Sequence, residues 1–291
     1  MDVGAVFSTF LGNLTIANIT TISARSGAIT KRLNKDFYAT ESETAHSFYA
    51  GSYGRNTKIK GSSDLDLVYV LPYETYVLYN SYSTNGQSAL LQSVRNSILS
   101  LYSSTAIKAD GQIIEVSFGD GMKIEVLPAF LNDNGTYTHP NSNDGGKWAV
   151  TDPKAEIEAI RKRNDACNKN LIKLARMARA WRSTWAVPIS GILVDTLAYQ
   201  FIENWPYRDK SFLYYDWLSR DFFKWMSEQD ESQDWWRAPG SGRYVYGKGL
   251  FQYKAKRCYN ISVEAIDNAG KSQDWAAKNK WREIYGSSFP D

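Results

Sequence analysis

The heptapeptide DLDLVYV at residues 64–70 constrains this chain more than any other stretch. Val, Tyr and Leu at this density make a strand. The strand period of two then turns Asp64 and Asp66 to one face and Leu65 and Leu67 to the other. Two carboxylates side by side repel each other unless a cation or a proton intervenes, and hard oxygen donors in this arrangement suit Mg²⁺. The plain alternative is an edge strand with two solvated acids.

A second apolar run, KIEVLPAF at 123–130, places Glu125 between Ile124 and Val126 and supplies a third carboxylate. Acids on adjacent strands can hold two divalent ions about 4 Å apart, the arrangement that activates a hydroxyl and stabilises a leaving oxygen in phosphoryl transfer. Glu115, in IIEVSFG, is the rival third acid, and alternation alone does not choose between them. Upstream, AGSYG at 50–54 closes a strand with glycines and a hydroxyl. Gly51 lets backbone approach a phosphate closely, and Ser52 with the exposed amides can grip its oxygens. No GxxxxGK[ST] occurs in the chain, so this is not a Walker A loop. A lone Gly-Ser is ordinarily just a turn; its place ahead of the acid pair is what gives it weight.

Composition excludes several chemistries. The two histidines, His46 and His139, leave little material for zinc sites or Ser-His-Asp triads. Cys167 and Cys258 form neither a disulfide framework nor a CxxC spacing, which fits a reducing, cytoplasmic compartment. A net charge of +3 argues against a partner such as long DNA or RNA and for local phosphate binding. No apolar run reaches the roughly 18 residues that span a bilayer, and the N-terminus lacks a basic signal-peptide region. Ten Trp and nineteen Tyr exceed what packing needs, although packing remains the main use of most of them.

The element pattern is α+β. Mixed three- and four-residue apolar spacing over 3–36 predicts one or two helices, and 46–130 carries short β-type runs forming a mixed sheet. SALLQSVRNSILSLY puts Leu90, Leu91, Val94, Ile98 and Leu101 on one helix face. The Asn/Gly/Asp/Pro-rich stretch 131–153 reads as an extended polar loop at a lobe boundary. The expected domains are therefore 1–150, with the sheet, and 151–291, a helical lobe completing a nucleotide-binding cleft. Residues 152–182 read as one long helix with an inward stripe of Ile157, Ile160, Asn164, Cys167, Leu171, Leu174, Ala178 and Trp181. A second helix, SGILVDTLAYQFIENW, stops at Pro206, and an aromatic-rich helical stretch follows it.

GSYGRNTKIKGSSDLDLVYV followed by KIEVLPAF resembles the nucleotidyltransferase superfamily of DNA polymerase β. Within it the chain is most similar to the bacterial CD-NTases, the cyclic-oligonucleotide synthases of CBASS anti-phage defence, themselves similar to cyclic GMP-AMP synthase and oligoadenylate synthetase. LARMARAWR, ISGILVDTLAYQF, WWRAPGSGRYVYGKGLF and AAKNKWREIYGSSFP extend the resemblance over nearly the whole chain. It implies a polymerase β-like core plus a helical C-terminal lobe. It further implies a synthase of cyclic di- or trinucleotide second messengers from ATP, GTP, UTP or CTP, in the bacterial cytoplasm, with activator or effector partners encoded beside it.

Carried over by residue, Gly51 and Ser52 hold the donor triphosphate, and Asp64, Asp66 and Glu125 bind two Mg²⁺, or Mn²⁺ in their place. Two positions depart from the family: Glu125 stands where Asp is commoner, and Arg179 where lysine is. Arg176 and Arg179, one turn apart, are phosphate clamps by this carry-over. Ser190 is a further triphosphate candidate at a helix start. Asn164 and Asn168 are candidate base readers, because a single helix would turn them toward the same cleft as Arg179; a buried packing hydrogen bond is the equal alternative for an Asn on a helix seam. The rival functions are a template-independent polymerase making linear product, a catalytically idle nucleotide sensor, and a nucleotidyl-transferring toxin or antibiotic-modifying enzyme. No zinc-ribbon insertion of the kind cyclic GMP-AMP synthase uses on DNA is present.

Overall fold

The computed structural model describes residues 1–61 and 64–291. It falls into two units, each built around its own elements. One comprises residues 17–54 and the described part of 62–154; the other comprises residues 1–16, 55–61 and 155–291. A single cut at residue 150 does not describe this division, because α1 (Val3–Asn13) and a seven-residue internal segment belong with the C-terminal helices.

In the sheet unit the elements run α2 (Ile19–Tyr38), β1 (Ser47–Tyr49), α3 (Gly51–Gly54), β2 (Leu65–Val70), α4 (Tyr73–Asn80), α5 (Gly86–Leu101), β3 (Ala106–Asp110), β4 (Ile113–Ser117), β5 (Lys123–Leu131), β6 (Tyr137–Asn141) and β7 (Lys147–Thr151). The strand order is β1-β2-β5-β4-β3, with β6 pairing β5 and β7. Only β2 and β5 among the described pairs are parallel.

Two of these elements correct the sequence reading. The stretch read as an extended polar loop forms β6 and β7, an antiparallel ribbon on β5. Its Gly and Asn residues sit in the connecting turns, while the alternation that marks Tyr137 and His139 as inward-facing is only five residues long. The helix α5 is as expected in Leu90, Leu91, Val94 and Ile98, which are buried, but Leu101 lies in its last turn and is 39% exposed.

Helix α2 covers the sheet face opposite the acids. Leu67 and Tyr69 point to that face, and Tyr69 donates its hydroxyl to Asn34 Oδ1 of α2 at 3.0 Å. The acid-bearing face carries a small apolar cluster of Ala50, Val68, Ala129 and Tyr137.

The helical unit consists of α1, then α6 (Pro153–Ala166), α7 (Asn170–Thr184), α8 (Gly191–Asn204), α9 (Tyr215–Ser227), α10 (Gln252–Gly270) and α11 (Asp274–Tyr285), with a short ribbon of β8 (Trp235–Arg237) and β9 (Tyr244–Tyr246). Aromatic rings pack through its apolar core alongside Leu, Ile, Val and Ala side chains. Phe7 of α1 packs edge-on against Trp281 and Phe289, each at 5.2 Å between centroids. That contact is why the N-terminal helix belongs to this unit. Cys167 and Cys258 are both free and buried. Among the described residues no helix is long and apolar enough to cross a membrane.

The long helix expected over 152–182 is two helices. Asn168 and Lys169 take left-handed backbone angles, φ 48° and 63°, and end α6 before α7 begins. Apolar periodicity runs through the break because both helices present their buried stripe to the same core: Ile160, Leu171, Leu174 and Trp181 are all nearly inaccessible.

Candidate functional site

The sheet positions the acids by register. In the parallel ladder Asp66 of β2 is the partner of Glu125 of β5, and across the next, antiparallel ladder Glu125 is the partner of Glu115 of β4. Paired residues share a face, so Asp66, Glu125 and Glu115 form one row with Glu125 in the middle. Asp64 continues the chain just before β2 and adds its field to the row. Burial, then Asp66, Asp64 and Glu115, push the Glu125 carboxyl above its usual range, and Lys123 opposes them.

Glu115 differs in its surroundings. Ser117 donates to it at 2.8 Å, and Lys108 and Lys123 lie at 3.7 and 3.3 Å. The Ser117 hydrogen bond leads the causes that hold its carboxyl below the usual range. It is therefore neutralised by its own strand neighbours, one strand further from Asp66. Of the two glutamates that alternation left open, Glu125 is the one that adjoins β2.

The Gly-Ser turn lies against the same acids. Gly51 opens α3 with φ +53°, and a Cβ built on it would lie 1.8 Å from Asp66 Oδ2. The turn is fastened by the Ala50 amide donating to the Asp66 carbonyl at 2.9 Å and the Gly54 amide donating to the Ala50 carbonyl at 2.8 Å. Ser52 is buried at 6% exposure. Gly51, Ser52, Asp66 and Glu125 thus belong to one β1-α3-β2-β5 arrangement.

The donor set suits a hard divalent cation, being carboxylate oxygen throughout with repulsion among its members. Among the described residues no three His, Cys, Asp or Glu side chains converge as a ready-made metal cage. The acids form an open row.

The remaining expected residues lie in the helical unit, and each has an identifiable partner there. Arg179 is 5% exposed and makes a two-pronged pair with Asp195 of α8, Nε to Oδ1 at 3.0 Å and a terminal nitrogen to Oδ2 at 2.8 Å. That terminal nitrogen also donates to the Gly191 carbonyl at 2.9 Å. The described donors of Arg179, expected as a phosphate clamp, go to Asp195 and Gly191. Arg176 donates to the Asn56 carbonyl at 3.1 Å and to Asn56 Oδ1 at 2.7 Å, and burial lowers its pKa. Ser190 is the N-cap of α8, accepting from the Leu193 amide at 3.3 Å.

Both asparagines serve the break between α6 and α7. Asn164 is 6% exposed, and its Oδ1 accepts from the Ile172 amide in the first turn of α7 at 3.0 Å. Lys169, the residue in the capping position, makes no side-chain cap, so Asn164 supplies one from the preceding helix. Asn168 donates to the Asp209 carbonyl at 3.0 Å. The wheel that aligned Asn168 with Asn164 and Arg179 fails because the helix is interrupted at Asn168 itself. Of the two readings weighed for Asn164, its contacts are those of the packing hydrogen bond.

A buried hub was missed. Asp195 is fully inaccessible and also accepts from Arg55 Nε at 2.9 Å and Thr57 Oγ1 at 2.8 Å. Burial alone would raise its carboxyl, but Arg179 and Arg55 outweigh burial and hold it below the usual range. Arg55 also reaches Glu156 at 3.0 Å. The available signal was a lone carboxylate inside the apolar run GILVDTLA, which needs a buried cation to be tolerated.

Residues 1–164 match the family model described as the Second Messenger Oligonucleotide or Dinucleotide Synthetase domain. A probable cyclic nucleotide synthase of Bacillus cereus is 24% identical over 274 residues, covering 82% of this chain and 81% of that protein. Among solved structures, Escherichia coli CdnC, in a complex with a HORMA protein, superposes with a TM-score of 0.70 at 13% identity, covering 99% of this chain and 98% of the other. The Vibrio cholerae cyclic AMP-GMP synthase DncV gives 0.65 at 15% identity, covering 100% and 88%. The chain thus shares the fold of these proteins.

Proposed function

The chain belongs to the family of second messenger oligonucleotide or dinucleotide synthetases, and on that premise we propose that it joins nucleoside triphosphates into a cyclic di- or trinucleotide. It is an NTP-dependent nucleotidyltransferase of the CD-NTase type. The observation that supports the site assignment is the Gly51 turn lying directly against Asp66, which is itself in register with Glu125.

Gly51, without a side chain, leaves room for the donor triphosphate, with the turn amides and the Ser52 hydroxyl as its hydrogen-bond donors. Asp64, Asp66 and Glu125 would hold two Mg²⁺, or Mn²⁺. Bound there, such ions offset the carboxylate repulsion and the charge that develops on the phosphoryl oxygens. A 2′- or 3′-hydroxyl of one nucleotide forms a bond to the α-phosphorus of the next, the bond to pyrophosphate breaks, and a second transfer closes the ring. Glu125, in register with Asp66, is a candidate acceptor for the proton of that hydroxyl. Arg176 keeps a contributory role toward phosphate in this reading. The product acts as a second messenger in anti-phage defence, the role the family implies, inside the bacterial cytoplasm and with activator or effector proteins as partners.

The test is incubation of the purified chain with all four labelled NTPs and Mg²⁺ or Mn²⁺, followed by phosphatase treatment, chromatography and mass spectrometry. A phosphatase-resistant cyclic product, absent from Asp64→Ala and Asp66→Ala, is expected. Linear product alone, or equal product from either variant, overturns the reading.

A further inference from the structure

Beyond Glu115 the row of acids runs into two lysines, all within the sheet unit. Lys108 of β3 is the ladder partner of Glu115. Lys123 stands two residues before Glu125 on β5, with Ser117 of β4 as its partner. Ladder partners and alternate residues share a face, so Lys108, Glu115, Lys123 and Glu125 lie on one side of the sheet. Ile107, Ile114, Val116 and Ile124 take the other side and are buried. The lysines are open by contrast, with 60% of the Lys108 side chain and 41% of the Lys123 side chain exposed. In the strand order β1-β2-β5-β4-β3 the Gly51–Gly54 turn adjoins β1 and β2 at one end of the acid row, and Lys108 stands at the other.

Both ammoniums face protein oxygens without being locked to them. Lys123 Nζ is 3.3 Å from Glu115 Oε2, and Lys108 Nζ is 3.7 Å from Oε1 and 4.0 Å from Asp110 Oδ2. These separations exceed the roughly 2.7–2.9 Å of a charge-assisted hydrogen bond, whereas Ser117 donates to Glu115 Oε1 at 2.8 Å. One Lys–Glu pair across two strands is ordinary sheet packing, and exposed ion pairs add little stability. A second lysine on the same carboxylate, on the face that carries Asp66 and Glu125, puts two available cations beside the acids.

We propose that Lys108 and Lys123 bind the 5′-triphosphate of the acceptor nucleotide, the one whose sugar hydroxyl attacks. The inference rests on the nucleotidyltransferase reading above and deepens it. Two nucleotides meet at the acids, and the donor phosphates take the Gly51 turn, so the acceptor lies on the β4–β3 side. In the first transfer the acceptor oxygen bonds to the donor α-phosphorus, the donor's bond to pyrophosphate breaks, and the hydroxyl proton leaves. The acceptor keeps its own triphosphate, which supplies the pyrophosphate released when the ring closes. Selecting an acceptor that carries this group therefore commits the first product to cyclisation. Carboxylates alone would repel its charge, and the ammoniums offset that repulsion. Lysine, a point charge on a flexible stem where arginine has a rigid fork, suits a phosphate chain that is released before the second transfer.

Surface substitutions of this kind leave folding nearly unchanged, so the lysines themselves can be replaced. In the test a 2′,3′-dideoxynucleoside triphosphate serves only as donor. The acceptor is either an α,β-methylene nucleoside triphosphate, which cannot donate, or the same nucleoside without phosphates. Wild type should favour the phosphorylated acceptor by at least about tenfold in kcat/KM. Lys108→Gln and Lys123→Gln should each cut that preference about threefold, and the double variant should abolish it. Lys123→Arg should keep most of it, and Lys147→Gln, at an exposed lysine of β7, all of it. No preference in wild type, an unchanged preference in the double variant, or an equal loss with both acceptors overturns the proposal. Binding is read separately by nuclear magnetic resonance of the lysine side-chain nitrogens with Mg²⁺ present. The α,β-methylene triphosphate should shift Lys108 and Lys123 but not Lys147, and the bare nucleoside should shift none; unmoved Lys108 and Lys123 signals also overturn the proposal. A wild type that joins no NTPs sinks the nucleotidyltransferase reading, and the resonance experiment then still decides whether the two lysines bind phosphate.

Discussion

Gly51 and Asp66 approach so closely that no side chain fits between them: a Cβ at position 51 would stand 1.8 Å from Asp66 Oδ2, and the glycine's φ of +53° is left-handed besides. The relationship joins the two halves of the motif. Gly51→Ala must push the Asp66 carboxylate away or unwind the turn, so turnover should fall by about a hundredfold or more, as for other displacements of reacting groups. Stability should drop by only about 1–3 kcal/mol from backbone strain. Initial rates and thermal unfolding of the variant measure the two separately, and equal, small losses in both would argue that the turn has no part in catalysis.

The position of the third acid gives a paired prediction. Glu125 adjoins Asp66 in the parallel ladder, whereas Glu115 is one strand away and engaged with Ser117, Lys108 and Lys123. Glu125→Ala should cost about a hundredfold or more in kcat, in the range for loss of transition-state charge stabilisation. Glu115→Ala should stay within about threefold of wild type. Chelation with EDTA should stop turnover and added Mg²⁺ or Mn²⁺ restore it, except in the Glu125 variant. The reverse ranking of the two variants would move the site to β4.

Asn164 should matter for the fold and not for base choice. Its Oδ1 accepts from the Ile172 amide while nearly buried. Asn164→Leu leaves that amide without its partner, which costs about 1–3 kcal/mol. Thermal unfolding should show the loss, and competition among the four NTPs should show unchanged preference. A changed base preference at unchanged stability would return Asn164 to the nucleotide site.

His139, 6% exposed in β6, supplies a pH dependence. Burial lowers its pKa below 6.5, opposed by its hydrogen bond to the Pro140 carbonyl. Below that value the unfolded chain binds the proton more readily than the folded one, so folding stability falls as pH drops from about 6.5 toward the folded-state pKa. His139→Gln should flatten this part of the profile. Melting temperatures of both proteins between pH 7.5 and 5 test it, and identical slopes would refute the assignment.

How far the sequence could be read depended on the range of each interaction. The alternation of Asp66 with Leu65 and Leu67, the α5 stripe up to Ile98 and the Gly-Ser turn are local patterns, and the structure has them where alternation and helical spacing place them. Tyr137 to Thr151 was misjudged because its turns are rich in Gly and Asn and its strands are only five residues each. Short strands gain their stability from a neighbour, here β5, and carry little pattern of their own. The interruption at Asn168 escaped because α6 and α7 bury the same side, so apolar spacing passes through it unaltered.

By itself the sequence determined that Asp66 lies opposite Leu65 and Leu67 on its strand, that a glycine turn precedes it, and that α5 buries one face, since each is a local pattern. Only the tertiary structure decided that Glu125 and not Glu115 adjoins Asp66, because ladder register is set between strands. It alone turned Arg179 onto Asp195 and drew Arg55 and Thr57 there as well, because a buried carboxylate must find its cations wherever the fold brings them, and nothing in local spacing records that partner.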